Sequence, residues 1–403
     1  MGQRREVDLA TFFEDKSDIF KIPRVYKNRD ALSGNFIPDE LPHREEELRK
    51  IAQYLSYAIA GNTPPNLLIL GSTGTGKTVT VKKVIKELKN YAGGMVETLY
   101  TVVGRTQQQT LIFLGQQMGV RLPARRGFDE NWRKFKNSID GDKKVIVVLD
   151  EIDKILPSCD LLYYLTRQQN ICLVGISNKI GVMEMIKDKR VISSFNPIKI
   201  VFKRYNSSQL ADILRYRASM AFCNGVLDDG VINYVASLAA KSGGDARYAL
   251  DLLAFSGDIA ISEGRSKITV DIVRKAMNEV EIEYIRKSIS DLTDPQKILL
   301  AIVVASNENL SPSAVYNICK KVMLSYCGRD LTSWRLSEYM SELDLLGFVR
   351  IIKKGRGKGK GFSWYVQLDM SRDVILDIIR EELNKMDIDF EHVVKLVKLA
   401  KGG

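Results

Sequence analysis

Gly71-Ser72-Thr73-Gly74-Thr75-Gly76-Lys77-Thr78 sets glycines, a lysine and a hydroxyl at the spacing of a phosphate-holding loop. Glycine backbone lets the N–H groups around Gly74, Thr75 and Gly76 curl about an anion that a helix N-terminus also faces. Lys77 then reaches the β- and γ-phosphates of a nucleotide, and Thr78 offers its hydroxyl to Mg2+. Downstream, the apolar run 145–149 ends in Asp150-Glu151-Ile152-Asp153. Asp150 is placed to hold the metal, and Glu151 to polarise an attacking water as general base. A further apolar run, 171–176, ends in Ser177-Asn178, where an uncharged amide can orient that water against the γ-phosphate. A lone acidic pair is usually a solvated turn. Behind a strand, and with a phosphate loop upstream, it is a hydrolysis site.

These groups need a scaffold. Residues 67–70 read as a short strand entering the loop, and 79–88 as an amphipathic helix leaving it, with Lys82, Lys83, Lys86 and Lys89 outside. Runs 145–149 and 171–176 are continuously apolar, as strands buried on both faces of a parallel sheet are. Strands with intervening helices make an α/β sandwich, and ligands sit outside the carboxyl ends of its strands.

The chain has 403 residues, 45% hydrophobic and 27% charged, so two to four folded domains are expected. Its longest wholly apolar run, 298–305, is far below the ~18 residues of a membrane span. The first residues carry charges with no apolar segment behind them, and Glu6 stands where a myristoylation signal needs Ser or Thr. A soluble intracellular protein is expected. The net charge of +11 favours a polyanionic partner. Cys159, Cys172, Cys223, Cys319 and Cys327 include no C-x-x-C pair and read as small apolar residues. With His43 and His392 the only histidines, a zinc cage or a histidine-dependent triad has almost nothing to be built from.

Several stretches then follow one another in a fixed order. They are Pro38-Asp39-Glu40-Leu41-Pro42-His43-Arg44-Glu45, the phosphate loop, Asp150 to Asp153, Gly175-Ile176-Ser177-Asn178, Lys189-Arg190-Val191-Ile192-Ser193-Ser194-Phe195 and Gly243-Gly244-Asp245-Ala246-Arg247. The ordered set, with a basic hairpin near the C-terminus, resembles the archaeal replication initiators. These are AAA+ ATPases similar to the origin recognition complex's largest subunit and to the cell-division-cycle helicase-loading protein. The resemblance covers about 19–368. It implies that 74–78 bind the phosphates of ATP or ADP, that Asp150 and Glu151 are the Walker B pair, and that Asn178 is sensor 1. Arg190 resembles the arginine finger offered to a neighbouring subunit; in a monomer it would be a salt-bridged arginine at a helix end. Tyr205 and Arg217 resemble the family's nucleotide-contacting aromatic and arginine, and Arg247 resembles sensor 2. Leu41 to Arg44 fall near the adenine.

The implied fold is α/β: an AAA+ P-loop NTPase core over 1–205, an α-helical lid over 206–290 and a C-terminal winged-helix domain over 291–403. Asn206 or Ser207 is expected to cap a helix over 209–220, and Asp228 one beginning near Gly230. The stretch 101–138 is long for a βα crossover. In initiators this place holds a DNA-touching helical insertion, and here it carries Arg121, Arg125, Arg126, Arg133, Lys134 and Lys136 against Asp129 and Glu130. From 293, three helices and a strand pair (348–353, 362–368) spell a winged helix. Ser333, Arg335 and Ser337 are exposed positions of its third helix. Glycine alternates with cations in Lys354-Gly355-Arg356-Gly357-Lys358-Gly359-Lys360-Gly361, so the backbone can follow a groove while each charge meets a phosphate. The family's commoner wing pattern is Gly-Arg-Thr; this one is richer in Lys and Gly.

The resemblance thus implies a cytoplasmic, nucleoid-associated protein that binds double-stranded origin DNA, with ATP and Mg2+ as a slow switch. The replicative helicase and paralogous initiator subunits are its implied partners. Two rival readings are a transcriptional regulator built from the same parts and a DNA-stimulated motor or clamp-loader-type ATPase.

Overall fold

The computed structural model describes residues 24–104, 106–156, 160–306, 310–327, 332–355 and 362–401. It falls into two units, Met1–Met277 and Asn278–Gly403. The wing residues Arg356, Lys358 and Lys360, and Cys159, lie outside the described residues, and Lys354 is described by its backbone alone.

In the first unit α1 (Glu45–Leu55) leads to β1 (Leu67–Leu70), α2 (Lys77–Ala92) and β2 (Val96–Val102). The insertion follows as α3 (Gln107–Gln117) and α4 (Phe128–Ser138), then β3 (Lys144–Asp150), α5 (Asp160–Thr166), β4 (Ile171–Ser177), α6 (Lys189–Phe195) and β5 (Ile198–Val201). The five strands are parallel in the order β2-β3-β4-β1-β5. Every residue of β4 is buried because apolar clusters cover both faces of the sheet, one around Phe135 and Leu149, the other around Ile69 and Val148. The registers Leu70↔Ser177 and Asp150↔Ile176 bring the ends of β1, β3 and β4 to one edge. That edge holds the candidate site.

The lid is α7 (Ser207–Ala221), α8 (Val231–Lys241), α9 (Ala246–Ser262) and the start of α10 (Val270–Ser290), which runs across the division between the units. Asn206 caps α7 with a full capping box to Gln209. The expected cap at Asp228 is not formed: Gly230, in the left-handed region, precedes α8, and Asp228 pairs instead with Lys267 at 3.4 Å. Residues 24–43 lie along this lid. Tyr26 stacks on Phe222 (5.1 Å between ring centres), and its hydroxyl donates to Ala254 O at 2.6 Å; Arg29 forks onto Asp258 at 2.9 and 2.6 Å.

The second unit packs α11 (Asp294–Ala305), α12 (Pro312–Cys327) and α13 (Ser333–Leu345) with the antiparallel pair β6 (Val349–Gly355) and β7 (Phe362–Leu368). Two further helices, α14 (Arg372–Asn384) and α15 (Phe390–Lys401), complete its core with Ile375, Ile379, Leu383, Val393 and Val397. Thr332 caps α13, its side chain accepting from Arg335 N–H, and Thr293 stands before α11 with its N–H donating to Gln296 Oε1 at 2.8 Å. Inside this core Lys297 on α11 donates to Glu382 on α14 at 2.5 Å, and Lys385 holds the other carboxylate oxygen at 2.6 Å. Burial alone would raise the Glu382 pKa, but the two ammonium groups outweigh it and hold the carboxyl below its usual range. Stability from this pair is therefore present above the unfolded pKa of about 4.3 and is lost as pH falls through the lower folded value. Lys297→Ala should cost the second unit about 3 kcal/mol at pH 7, because a buried charge loses its partner; urea unfolding at pH 7 and pH 3 should show the difference shrinking at the lower pH.

Candidate nucleotide site and nucleic-acid surfaces

The phosphate loop turns from β1 into α2. Lys77 is buried, and its ammonium donates to Gly71 O, Ser72 O and Asn178 Oδ1, each at 2.7 Å. Burial is the main force on its acidity: the pKa drops to about 8, with Asp150 opposing the fall and Arg247 adding to it. Sequence-predicted Lys77 and Asn178 are thus brought together by the β1–β4 pairing. Thr78 Oγ1 donates to Asp150 Oδ2 at 2.7 Å, and Tyr100 Oη donates to the same oxygen at 2.7 Å. A hydroxyl and a carboxylate oxygen in contact suit a hard cation such as Mg2+. No group of three or more His, Cys, Asp or Glu side chains gathers for a metal among the described residues, so phosphates and water must complete the shell.

Glu151 follows directly, with φ 59°, a left-handed conformation unusual for a non-glycine residue. Its N–H donates to Asp150 Oδ1 at 2.9 Å, and its half-exposed carboxylate is paired with Lys154. The general-base candidate therefore sits on a strained turn at the mouth of the site, held by an ion pair that a reaction must break.

The lid contributes Asp245 and Arg247 from the first turn of α9. Asp245 caps that helix through the N–H groups of Arg247 (2.8 Å) and Tyr248 (3.2 Å), and Ala246 N–H donates to Gly74 O at 3.1 Å. Gly74 is indispensable here: a Cβ would lie 1.7 Å from Asp245 Oδ1, and its φ is +65°. Arg247 is exposed and lies against Gly34. Tyr205, after β5, is buried and its hydroxyl comes against Gly76. Arg217 turns to the leading segment, donating to Ala31 O and to Ser33 O (2.7 Å) and stacking on Phe36; burial lowers its pKa to about 10. Arg44 is buried, donates to Thr75 O (2.9 Å) and Lys203 O (2.6 Å), and lies 4.0 Å over the Tyr205 ring. Sequence reasoning placed Arg44 only loosely near a base. Its role as a brace of the phosphate loop, and the contacts of Tyr100 and Asp245, rest on approaches across the fold.

Arg190 forks onto Asp188 (2.8 and 3.2 Å), lies 5.3 Å over the Tyr163 ring and is largely exposed. Among the described residues none of these contacts is to the phosphate loop. In the insertion three side chains hold carbonyls of the connecting loop: Gln108 on Arg126 O (3.1 Å), buried Asn131 on Pro123 O (2.9 Å) and exposed Lys134 on Arg121 O (2.9 Å). Arg121, Arg125 and Arg126 are left exposed, Arg126 in an ion pair with Glu130 at 3.1 Å. In the second unit Ser333, Arg335 and Ser337 are exposed on α13, as is Trp334 beside them.

Residues 61–183 match the AAA domain family and residues 211–278 the Cdc6 AAA+ ATPase-type lid domain. Fold and site together define an AAA+ P-loop ATPase with a Cdc6-type lid. Over 369 residues the chain is 45% identical to an ORC1-type DNA replication protein of Methanothermobacter thermautotrophicus, covering 90% of this chain and 99% of that one. A second such protein, from Desulfurococcus amylolyticus, is 37% identical over 382 residues, covering 90% and 96%. Among solved structures, the Aeropyrum pernix ORC1 protein in complex with DNA matches with a TM-score of 0.77 at 33% identity, covering 89% of this chain and 97% of that one. The chain belongs to the ORC1-type DNA replication proteins. No helix among its described residues is long and apolar enough to cross a membrane.

Two predictions come from this geometry. Lys77→Ala should abolish nucleotide binding, whereas Glu151→Gln should bind ATP normally and lose hydrolysis, read by filter binding and phosphate release; parental turnover in Glu151→Gln removes the general-base assignment. Phosphates favour the charged form of Lys77, so binding should take up a proton above pH about 8. Affinity should then fall by up to about tenfold per pH unit above that point, and calorimetry in two buffers at pH 9 should show the uptake. Titrations showing no uptake would place the ammonium's pKa elsewhere.

Proposed function

We propose that this chain is an ATP-dependent initiator that binds double-stranded origin DNA through its winged helix and its insertion, with ATP·Mg2+ as a slow switch. The observation that carries the reading is the build of the insertion: Gln108, buried Asn131 and exposed Lys134 hold carbonyls of its loop, and Arg121, Arg125 and Arg126 stand exposed on that held loop. A loop built only for solubility needs no such support. Exposed Ser333 and Arg335 at the start of α13 supply a second surface, at the helix that enters the major groove in winged-helix relatives. The A. pernix relative complexed with DNA supports DNA as the partner. Asp245 against Gly74 ties the lid to the phosphate loop, so that lid position would carry the signal of nucleotide state. Hydrolysis resets that signal, with Arg190 offered to ATP on a neighbouring subunit, and the marked DNA becomes the place where the replicative helicase is loaded.

Replacing Lys354, Arg356, Lys358 and Lys360 together by alanine tests the DNA reading. Each lost phosphate contact lowers the slope of log affinity against log salt by ~0.9, so the slope should flatten by about three to four units with every duplex weakened alike. Changes at Ser333, Arg335 and Ser337 should alter sequence preference more than slope. An unchanged slope in a folded fourfold variant would make the hairpin a solvated charged loop.

A further inference from the structure

Tyr100, on the edge strand β2, touches both the metal-holding carboxylate and the insertion. Its phenol donates to Asp150 Oδ2 at 2.7 Å, the oxygen that also accepts from Thr78. Asp150 Oδ1 is taken by Glu151 N–H at 2.9 Å, so the carboxylate is fixed from both ends. The main chain of Tyr100 is fixed in turn by Gln117, the last residue of α3. Gln117 Oε1 accepts from Tyr100 N–H at 3.0 Å, and Gln117 Nε2 donates to Tyr100 O at 2.8 Å. The amide thus completes the free edge of β2 as a neighbouring strand would. Lys82 lies 4.6 Å over the Tyr100 ring and holds it from the side.

A displacement of α3 must move Gln117, and through two hydrogen bonds it moves the backbone that aims the phenol at Asp150. We propose that Tyr100 is a positioning residue for Asp150, and that Gln117 makes this position responsive to duplex DNA held by the insertion. The second half rests on the insertion's DNA contact proposed above. Outer partners of a metal-holding carboxylate set its orientation, and their loss costs roughly 10- to 100-fold in metal affinity in well-studied sites. Coupling through such a contact needs a demonstrated effect of one site on the other.

The test is the Mg2+ concentration that half-saturates binding of a fluorescent ADP to the full chain, with and without a duplex, with duplex affinity measured separately. Tyr100→Phe should raise that concentration roughly 10-fold, while ADP affinity in EDTA and the unfolding temperature stay parental. An unchanged Mg2+ requirement would mean that the phenol only fills space, and overturns the positioning role. In the parent, saturating duplex should shift the Mg2+ requirement. Gln117→Ala should keep duplex affinity and lose the shift, with Gln117→Glu, which retains the acceptor alone, lying between. Tight duplex binding with no shift in the parent, or a full shift in Gln117→Ala, overturns the coupling alone. A parent that binds no duplex overturns the DNA reading with it, leaving the Tyr100 result to stand on its own.

Discussion

A buried ammonium organises the whole edge of the sheet. Lys77 must be paired once it leaves water, and its oxygens come from two different strand ends: Gly71 and Ser72 after β1, and Asn178 after β4. The β1–β4 register brings those oxygens together, and the β3–β4 register brings Asp150 to the same edge beside Thr78. The candidate hydrolysis residues Asp150 and Asn178 thus stand at the one sheet edge where the lysine's charge is neutralised. Burial also draws the lysine's pKa down to about 8.

The lid is tied to this edge along two routes. Asp245 and Ala246 meet Gly74 directly. The segment 24–43 runs along α7 and α9 before Arg44 reaches the Thr75 carbonyl and the Tyr205 ring. Tyr26, Arg29 and Arg217 make that segment a mechanical part of the lid although it precedes the α/β core in the chain. The phosphate loop is thereby joined to the lid along both routes.

The sequence showed most plainly what local chemistry dictates. The phosphate loop, Asp150-Glu151 and Asn178 carry their spacing on their face, and β3 and β4 read as strands because burial on both sides leaves an unbroken apolar run. The cap at Asn206 was legible because its hydrogen bonds close within a few residues, whereas the left-handed Gly230 displaced the cap expected at Asp228. Tyr100, Gln117, Arg44 and Asp245 were not legible as a set, since their partners lie far along the chain and only the completed fold brings them together. Helices α14 and α15 were hidden inside a domain whose winged-helix pattern was already satisfied before residue 372; their apolar faces find meaning only against α11 and α12.

Initiators and promoter regulators can share every feature of this architecture, and they differ in where on the chromosome they stand. Footprinting the protein across its host's own chromosome, beside a map of nascent-strand start sites, tests the initiator reading most directly. Occupancy centred on replication start sites is the expected result. Footprints confined to promoters, with start sites bare, would contradict it.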